Sequence, residues 1–316
     1  MPTEGMVKLL KKLILLFLPF LIFFLWLEIK ARHIRNSFSI KIEGFQQRAD
    51  SVKVLVLGSS HAMKGLNPGF FSLPGFNFSN SSQTLEYDSR ICLKYLPISP
   101  ELKIVIIDIT YISFFFLLKD SPENWKDYFY YQYFGIKVPA ISWNSPSAYF
   151  RAALYRKGTL QDLITGKLDC RKEFGDIQPN GWERTRIDTD TVAVSYKTGS
   201  ERADLHQSLI HHENLNANLE GLENMISVLS KKGIKVYLIS CPVYHTYTKY
   251  LSPATEAENL KLIQKITQKF SIPYYDFSRD PRFDREDFFD NDHLNSKGAE
   301  KFSMMIDSLI IQNTVQ

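Results

Sequence analysis

Lys103-Ile104-Val105-Ile106-Ile107-Asp108-Ile109 is the stretch that decides the fold. A strand with one wet face alternates apolar and polar residues. This near-continuous aliphatic run instead reads as a parallel strand covered on both faces. Upstream, Val52-Lys53-Val54-Leu55-Val56-Leu57 reads as a second strand ending at Gly58, and a short third is expected over residues 75–78. Residues 84–96 carry Leu85, Ile91, Leu93, Tyr95 and Leu96 at helical spacing, closed by Pro97. Downstream, residues 218–232 place Leu219, Leu222, Met225, Ile226 and Leu229 on one helical face, with Gly233 as the C-cap and Lys235–Ser240 as the next strand. Ser252-Pro253 opens a helix reaching Phe270, residues 273–277 form the last strand, and a final helix covers 296–311. Alternation of this kind predicts an α/β fold, a flavodoxin-like parallel sheet sandwiched by helices. In such sheets function collects at the C-terminal ends of the strands.

The 316 residues are 44% hydrophobic with unremarkable Gly, Pro and Cys, which excludes collagenous, disulfide-scaffold and disordered classes. The formal charge of +4 has a definite location. Lys8, Lys11, Lys12, Lys30, Arg32 and Arg35 face only Glu4 and Glu28 in the first 35 residues, so the rest of the chain is neutral. A neutral body gives no electrostatic basis for nucleic-acid binding.

The basic residues flank an apolar run. Residues 13–27 hold no charge, and Pro19 is the single position that is not strongly apolar. Fifteen helical residues measure about 22 Å against a hydrocarbon core of about 30 Å. Counting from Val7, with the lysines snorkelling outward, brings the run close to a full span. The alternative is a cleaved signal peptide, but no small-x-small site follows; the flank reads Glu28-Ile29-Lys30-Ala31-Arg32-His33. We read residues 1–35 as an uncleaved transmembrane anchor and 36–316 as the body. Three basic residues on each side leave the positive-inside count tied, and the short basic tail favours an extracytoplasmic body.

Residues 113–186 break the strand–helix alternation. Thirteen of the chain's 43 aromatic residues fall between positions 113 and 150, among them Phe114-Phe115-Phe116 and Tyr128-Phe129-Tyr130-Tyr131. This is expected to be a helical insertion, either a satellite core capping one end of the sheet or an apolar surface for a bilayer or membrane partner. Cys92, Cys170 and Cys241 are odd in number and lack a CxxC pair, so no disulfide is demanded. His206, His211, His212 and Glu213 cluster without HExxH spacing and read as a polar loop leading into a helix rather than a metal site. Gly58-Ser59-Ser60-His61 lacks the lysine and spacing of a phosphate loop.

Three polar segments fall where a site belongs. Gly58-Ser59-Ser60-His61 follows the first strand, Asn77-Phe78-Ser79-Asn80-Ser81-Ser82-Gln83-Thr84 follows the second, and Asp290-Asn291-Asp292-His293-Leu294-Asn295 precedes the last helix. A glycine at the first position permits a sharp turn that exposes the Ser60 hydroxyl and N–H. Asp-x-x-His spacing lets Asp290 reach the His293 Nδ1, which leaves Nε2 to take a serine proton. Singly, these segments also read as ordinary helix caps and loops.

Together and in this order they resemble the SGNH (GDSL-like) hydrolase superfamily, from about Val52 to the C-terminus. Ser60 falls on its nucleophile with Ser59 in place of the motif's Asp, His293 on its base and Asp290 on the orienting carboxylate. Its Asn-x-x-x-Ser-Gly-x-Thr loop corresponds to Asn77, Ser81 and Thr84, with Ser82 standing at the oxyanion glycine. Its Gly-x-Asn-Asp block is missing, since the third strand continues into Ile109-Thr110-Tyr111. The resemblance therefore implies Ser60 and Ser82 N–H donors, helped by Asn80 or Tyr111, with His245 at the same edge as a substrate-binding or loop residue. With these departures it looks more like the membrane-anchored envelope proteins of teichoic-acid D-alanylation and alginate O-acetylation than like secreted lipases. That implies an esterase or O-acyltransferase acting on acylated carbohydrate, beside a membrane-bound O-acyltransferase, with no metal or dissociable cofactor. A catalytically silent scaffold or glycan-binding partner is the second reading, motivated by the missing block.

Overall fold

The computed structural model describes residues 4–185 and 194–312. Residues 1–3 and 313–316, the outer ends of the expected anchor and body, lie outside them, as does Arg186 at the expected insertion boundary. Seven strands are described: β1 (Val54–Leu57), β2 (Gly75–Asn77), β3 (Ile104–Asp108), β4 (Asp176–Ile177), β5 (Glu183–Arg184), β6 (Lys235–Ser240) and β7 (Tyr274–Asp276). Five form one parallel sheet in the order β2-β1-β3-β6-β7, and β4 and β5 form a separate antiparallel hairpin. The sheet order is the doubly wound arrangement whose chain direction reverses beside β1 and β3.

Side-chain alternation explains the aliphatic runs. Val54, Val56, Ile104 and Ile106 enter one core with Phe302 and Ile306, while Leu55, Leu57, Val105 and Ile107 enter the other with Ile91, Leu222 and Met225. All eight strand residues are essentially inaccessible, as strands with two covered faces must be. The helices are α1 (Glu4–Arg32), α2 (Ser37–Gln46), α3 (Ser60–Gly65), α4 (Leu85–Tyr95), α5 (Lys126–Phe134), α6 (Lys157–Thr165), α7 (Cys170–Phe174), α8 (Tyr196–Ser208), α9 (Leu215–Lys231), α10 (His245–Thr248), α11 (Pro253–Phe270) and α12 (Ser296–Ile306). The fold class is thus the α/β sandwich expected, and α1 is long and apolar enough to cross a membrane. One expectation changes: the segment read as a polar loop begins inside α8, because the Ser195–Thr198 capping box starts a helix that carries His206. The three cysteines are free.

The aromatic stretch does two things. Phe114, Phe115, Phe116, Phe129, Tyr130 and Phe134 are buried. Tyr130 stacks on Tyr87 of α4, and Phe38 of α2 packs edge-on against Tyr130. Trp125, Trp143, Tyr149 and Phe150 remain exposed. The β4–β5 hairpin covers the free edge of β2. Asn77 N–H donates to Asn180 C=O at 2.9 Å, and the fully buried Lys41 ammonium donates to the carbonyls of Asn77 and Gly181. Burial lowers the Lys41 pKa to about 7. An edge covered this way cannot pair with another chain.

Candidate active site

Three loops meet at the C-terminal edge of the sheet. After β1, Gly58 has φ of +141°, and a Cβ there would lie 2.6 Å from the Asp108 Cβ, so the turn requires glycine. Its N–H donates to Asp88 Oδ1 at 2.9 Å. Ser59 then caps α3 and leaves Ser60 as its first residue. Asp88, which also accepts from Gln83 Nε2 at 2.6 Å, is pushed up to about 7 by burial. Burial likewise raises Asp108, which accepts the Cys241 N–H at 3.2 Å. Two largely desolvated carboxyls therefore underlie the serine loop.

The loop after β2 is tied to α3 by Asn77, whose amide donates to the carbonyls of Ala62 (2.8 Å) and Leu66 (2.7 Å). Ser82 takes φ of +57°, a left-handed conformation normally left to glycine. Its hydroxyl donates to Glu123, and Lys126 donates to the Ser81 carbonyl at 3.2 Å. Both partners belong to the insertion, which thus braces this loop from outside. The backbone N–H groups of Ser60 and Ser82 make no hydrogen bond among the described residues. Asn80 accepts from Ser81 N–H at 3.0 Å, and its own amide nitrogen is buried without a partner, as is the Thr84 hydroxyl.

The third loop carries the imidazole. Asp290 Oδ1 accepts the N–H groups of Asp292 (3.1 Å) and His293 (2.9 Å), folding the turn back on itself. Both Asp290 oxygens then stand 2.9 Å from His293 Nδ1, and His293 Nε2 stands 2.8 Å from Ser60 Oγ. The line Asp290–His293–Ser60 opens onto a cleft of about 370 Å³. Ser82, Thr84 and Thr110 line it, with Ile112, Phe116, Leu205 and Leu209 as an apolar wall and Lys64, Glu123 and Arg202 as charged groups.

A second carboxylate lies behind the histidine. Asp292 is 1% exposed; its Oδ2 accepts Arg202 Nε at 2.8 Å and faces His61 Nε2 at 3.2 Å, while Oδ1 is 3.4 Å from His293 Nδ1. Burial acts to raise its pKa. The charge interaction with His293, the hydrogen bond from His61 and Arg202 outweigh burial and hold the carboxyl well below the ordinary range. His206, 3.9 Å from Asp292 and bonded to the Tyr247 hydroxyl at 2.6 Å, is pushed down to about 3 by burial. His61, Asp292 and His293 have the ligand types and proximity of a metal cluster. The Arg202 guanidinium already occupies one Asp292 oxygen, Oδ2, and supplies the positive charge beside that carboxylate.

Two expected site residues lie elsewhere. The Tyr111 hydroxyl donates to Gln207 at 2.5 Å and accepts the Ser252 N–H at 3.1 Å, on a neighbouring cavity of about 280 Å³. The turn after β3, in which Thr110 N–H bonds Ser113 Oγ at 2.8 Å, carries it away from Ser60. His245 is exposed at the start of α10, stacks on Tyr244 and meets the tilted ring of Tyr196. Thr110, Glu123, Arg202 and Asp292 were not anticipated. Asp292 stood inside the quoted motif, but nothing in the spacing shows which way a residue beside the histidine points.

No family model and no curated protein matches the chain. Among solved structures, one similar to it is a candidate acylhydrolase from Bacteroides fragilis NCTC 9343, at 13% identity and a TM-score of 0.40, covering 87% of this chain and 96% of that one. Another is described as a candidate platelet activating factor from Streptococcus pneumonia, at 11% identity and 0.41, covering 97% and 99%. Likenesses this distant carry no chemistry, which has to be argued from the residues.

Proposed function

We propose that the chain is a membrane-anchored serine esterase or O-acyltransferase of SGNH type. Its substrates are acyl esters, acetyl being the simplest, on a cell-envelope polysaccharide or related polymer. The observation that supports this is the continuous line from Asp290 through His293 to Ser60, with contacts of 2.9 and 2.8 Å, beside unengaged N–H groups. Ser60 Oγ attacks the ester carbonyl and its proton passes to His293 Nε2. Asp290 holds Nδ1 protonated and stabilises the imidazolium. The tetrahedral oxyanion takes the N–H groups of Ser60 and Ser82. Collapse breaks the ester C–O bond, and His293 returns the proton to the leaving alcohol. Water then completes hydrolysis, or a sugar hydroxyl completes transfer, by the same steps reversed. No step requires a metal or cofactor. Spanning the bilayer with the body on the extracytoplasmic side, α1 would hold this cleft near envelope polymers and near a membrane-bound O-acyltransferase.

Fluorophosphonate labelling of the full chain in detergent tests the reading. An adduct that disappears in Ser60→Ala, with the variant folded, is expected; wild-type protein that stays unlabelled overturns it. One observation favours a second reading, a silent scaffold of an acyltransferase complex. The Tyr111 hydroxyl, the side chain suggested to replace the missing asparagine donor, is occupied by Gln207 and Ser252. Losing one such donor costs about 100- to 1000-fold. An acyltransferase that co-purifies with the chain and works equally well with Ser60→Ala would select the scaffold.

A further inference from the structure

The anchor and the insertion form one packed unit. From Glu4 to Phe23, α1 is exposed residue after residue, and contact with the body begins at Phe24. The Phe24 ring meets Phe150 edge-on, with centroids 5.0 Å apart. One turn later Glu28 is buried; its carboxylate accepts the N–H groups of Arg151 (3.1 Å) and Ala152 (3.0 Å) and pairs with Arg32 at 2.8 Å. A carboxylate at a membrane boundary is costly unless the protein supplies such partners, and here the insertion supplies them. Ala31 and Ile34 are buried as well. Phe150 is therefore fixed at the level of Phe24, about 6 Å from Glu28 toward the membrane-spanning end.

Helix length then sets the depth. The uncharged run 13–27 measures about 22 Å, and a hydrocarbon core of about 30 Å draws all of it into the apolar layer or its boundary. Residues 24–27 cannot enter that boundary without taking Phe150 along. The neighbouring side chains suit the same depth: Tyr149 is 54% exposed, Trp143 47% and Phe150 38%. The Tyr149 hydroxyl donates to the Trp143 carbonyl at 2.8 Å, so the loop folds as one piece. Tyr and Trp, apolar with one polar tip, concentrate in this layer. Lys30 of α1 and Lys157, which begins the helix α6 that packs on α1, are exposed and suited to anionic headgroups.

We infer that the 143–150 loop is seated in the headgroup–acyl boundary of the bilayer that α1 spans, and that its partner is lipid. This rests on the anchor reading of α1. It adds a second attachment, so the body is oriented against the membrane instead of swinging from a tether.

The test uses the full chain with Cys170→Ser, since Cys92 and Cys241 are buried. A single reactive cysteine is introduced by Tyr149→Cys, by Phe20→Cys within the helix, or by Leu260→Cys on the far helix α11. Each is labelled with an environment-sensitive fluorophore in nanodiscs of phosphatidylcholine and phosphatidylglycerol, with and without lipid-borne nitroxide. Emission loss at positions 20 and 149, and none at 260, is expected. Loss at 20 alone leaves the anchor intact and overturns the inference. Shielding of 149 from an aqueous quencher without nitroxide loss assigns the face to a protein partner and also overturns it. No loss at position 20 overturns the anchor reading, and the inference with it.

Discussion

Two carboxylates reach the same imidazole nitrogen from differently built regions. Asp290 lies on the outer turn, its side chain 30% accessible, held by two backbone N–H groups, with both oxygens 2.9 Å from His293 Nδ1. Asp292 lies in the buried network, 1% accessible, clasped by Arg202 at 2.8 Å and 3.4 Å from the same nitrogen. The outer group offers a short, directed acceptor that can fix a tautomer. The inner group offers a charge locked in place and balanced by a guanidinium, which suits it to holding the loop. Nearness to a histidine does not by itself identify its orienting partner; hydrogen-bond directness and competing partners do.

The largest effect separates these roles. Asp290→Asn is expected to lower kcat/KM on a chromogenic acetyl ester by about 10⁴-fold, because the amide favours the wrong imidazole tautomer. Its Oδ1 can still accept the backbone N–H groups, so the thermal midpoint should move little. A drop of less than tenfold would hand the orienting role to Asp292 and undo the comparison.

Asp292→Asn should show the opposite pattern, a large stability loss and a smaller kinetic one. Removing one partner of a buried pair costs about 3 kcal/mol, and Arg202→Met added to Asp292→Asn should recover part of it. The pH sign follows from the depressed carboxyl. Asp292 contributes its full stability above the ordinary carboxylate pKa, and the contribution disappears as pH falls through the lowered folded value. Urea unfolding between pH 3 and 7 should give a steep acid slope for the native chain and a flatter one for the variant. Equal slopes would remove Asp292 as a buried charge.

The same contrast explains what could be read in advance. The strands were legible because burial on both faces leaves an unbroken aliphatic record, as in Ile104-Val105-Ile106-Ile107. Ser60, Asp290 and His293 were legible as a set because parallel strands deliver their following loops to one edge. Arg202 was not, since its partner lies 90 residues away and no local period encodes the pairing. The end of β3 pointed to Tyr111 as a cleft residue, but a local hydroxyl-bonded turn at Thr110 and Ser113 redirects it. Placing His245 at the end of a strand said nothing of the two tyrosine rings that meet it. Helix α2 was missed because a capping box at Asn36 and two tyrosine hydroxyls specify it more than any apolar period does.

Beneath the serine loop a third carboxyl gives a pH effect of the opposite sign. Asp88 is raised to about 7 by burial, so the folded chain keeps a proton that the unfolded chain releases. Stability should therefore fall as pH rises from about 4 to 7 and stay low above that. Asp88→Asn keeps the acceptor for Gly58 without the charge. Its stability should match the native chain below pH 4 and exceed it at pH 8, by an amount on the order of a few kcal/mol. Calorimetric midpoints at the two pH values check this; a variant no more stable at pH 8 would mean that Asp88 is accommodated as an anion.

The smallest effect concerns Ser82, a left-handed residue in the loop proposed to receive the oxyanion. A left-handed non-glycine residue costs about 1–2 kcal/mol, and the hydroxyl bond to Glu123 returns about 1 kcal/mol. Ser82→Gly removes both, so its stability should lie within about 1 kcal/mol of the native chain. Ser82→Ala keeps the backbone cost, loses the bond and should be the less stable of the two. Both variants retain the N–H proposed to receive the oxyanion, so each should keep kcat/KM within about tenfold. A 100-fold loss in both would mean that the tether to Glu123, and through it the insertion, positions the donor. The outer region would then contribute to the chemistry as directly as the loop after β2, and the division between an oriented acceptor and a structural network would have to extend to the insertion.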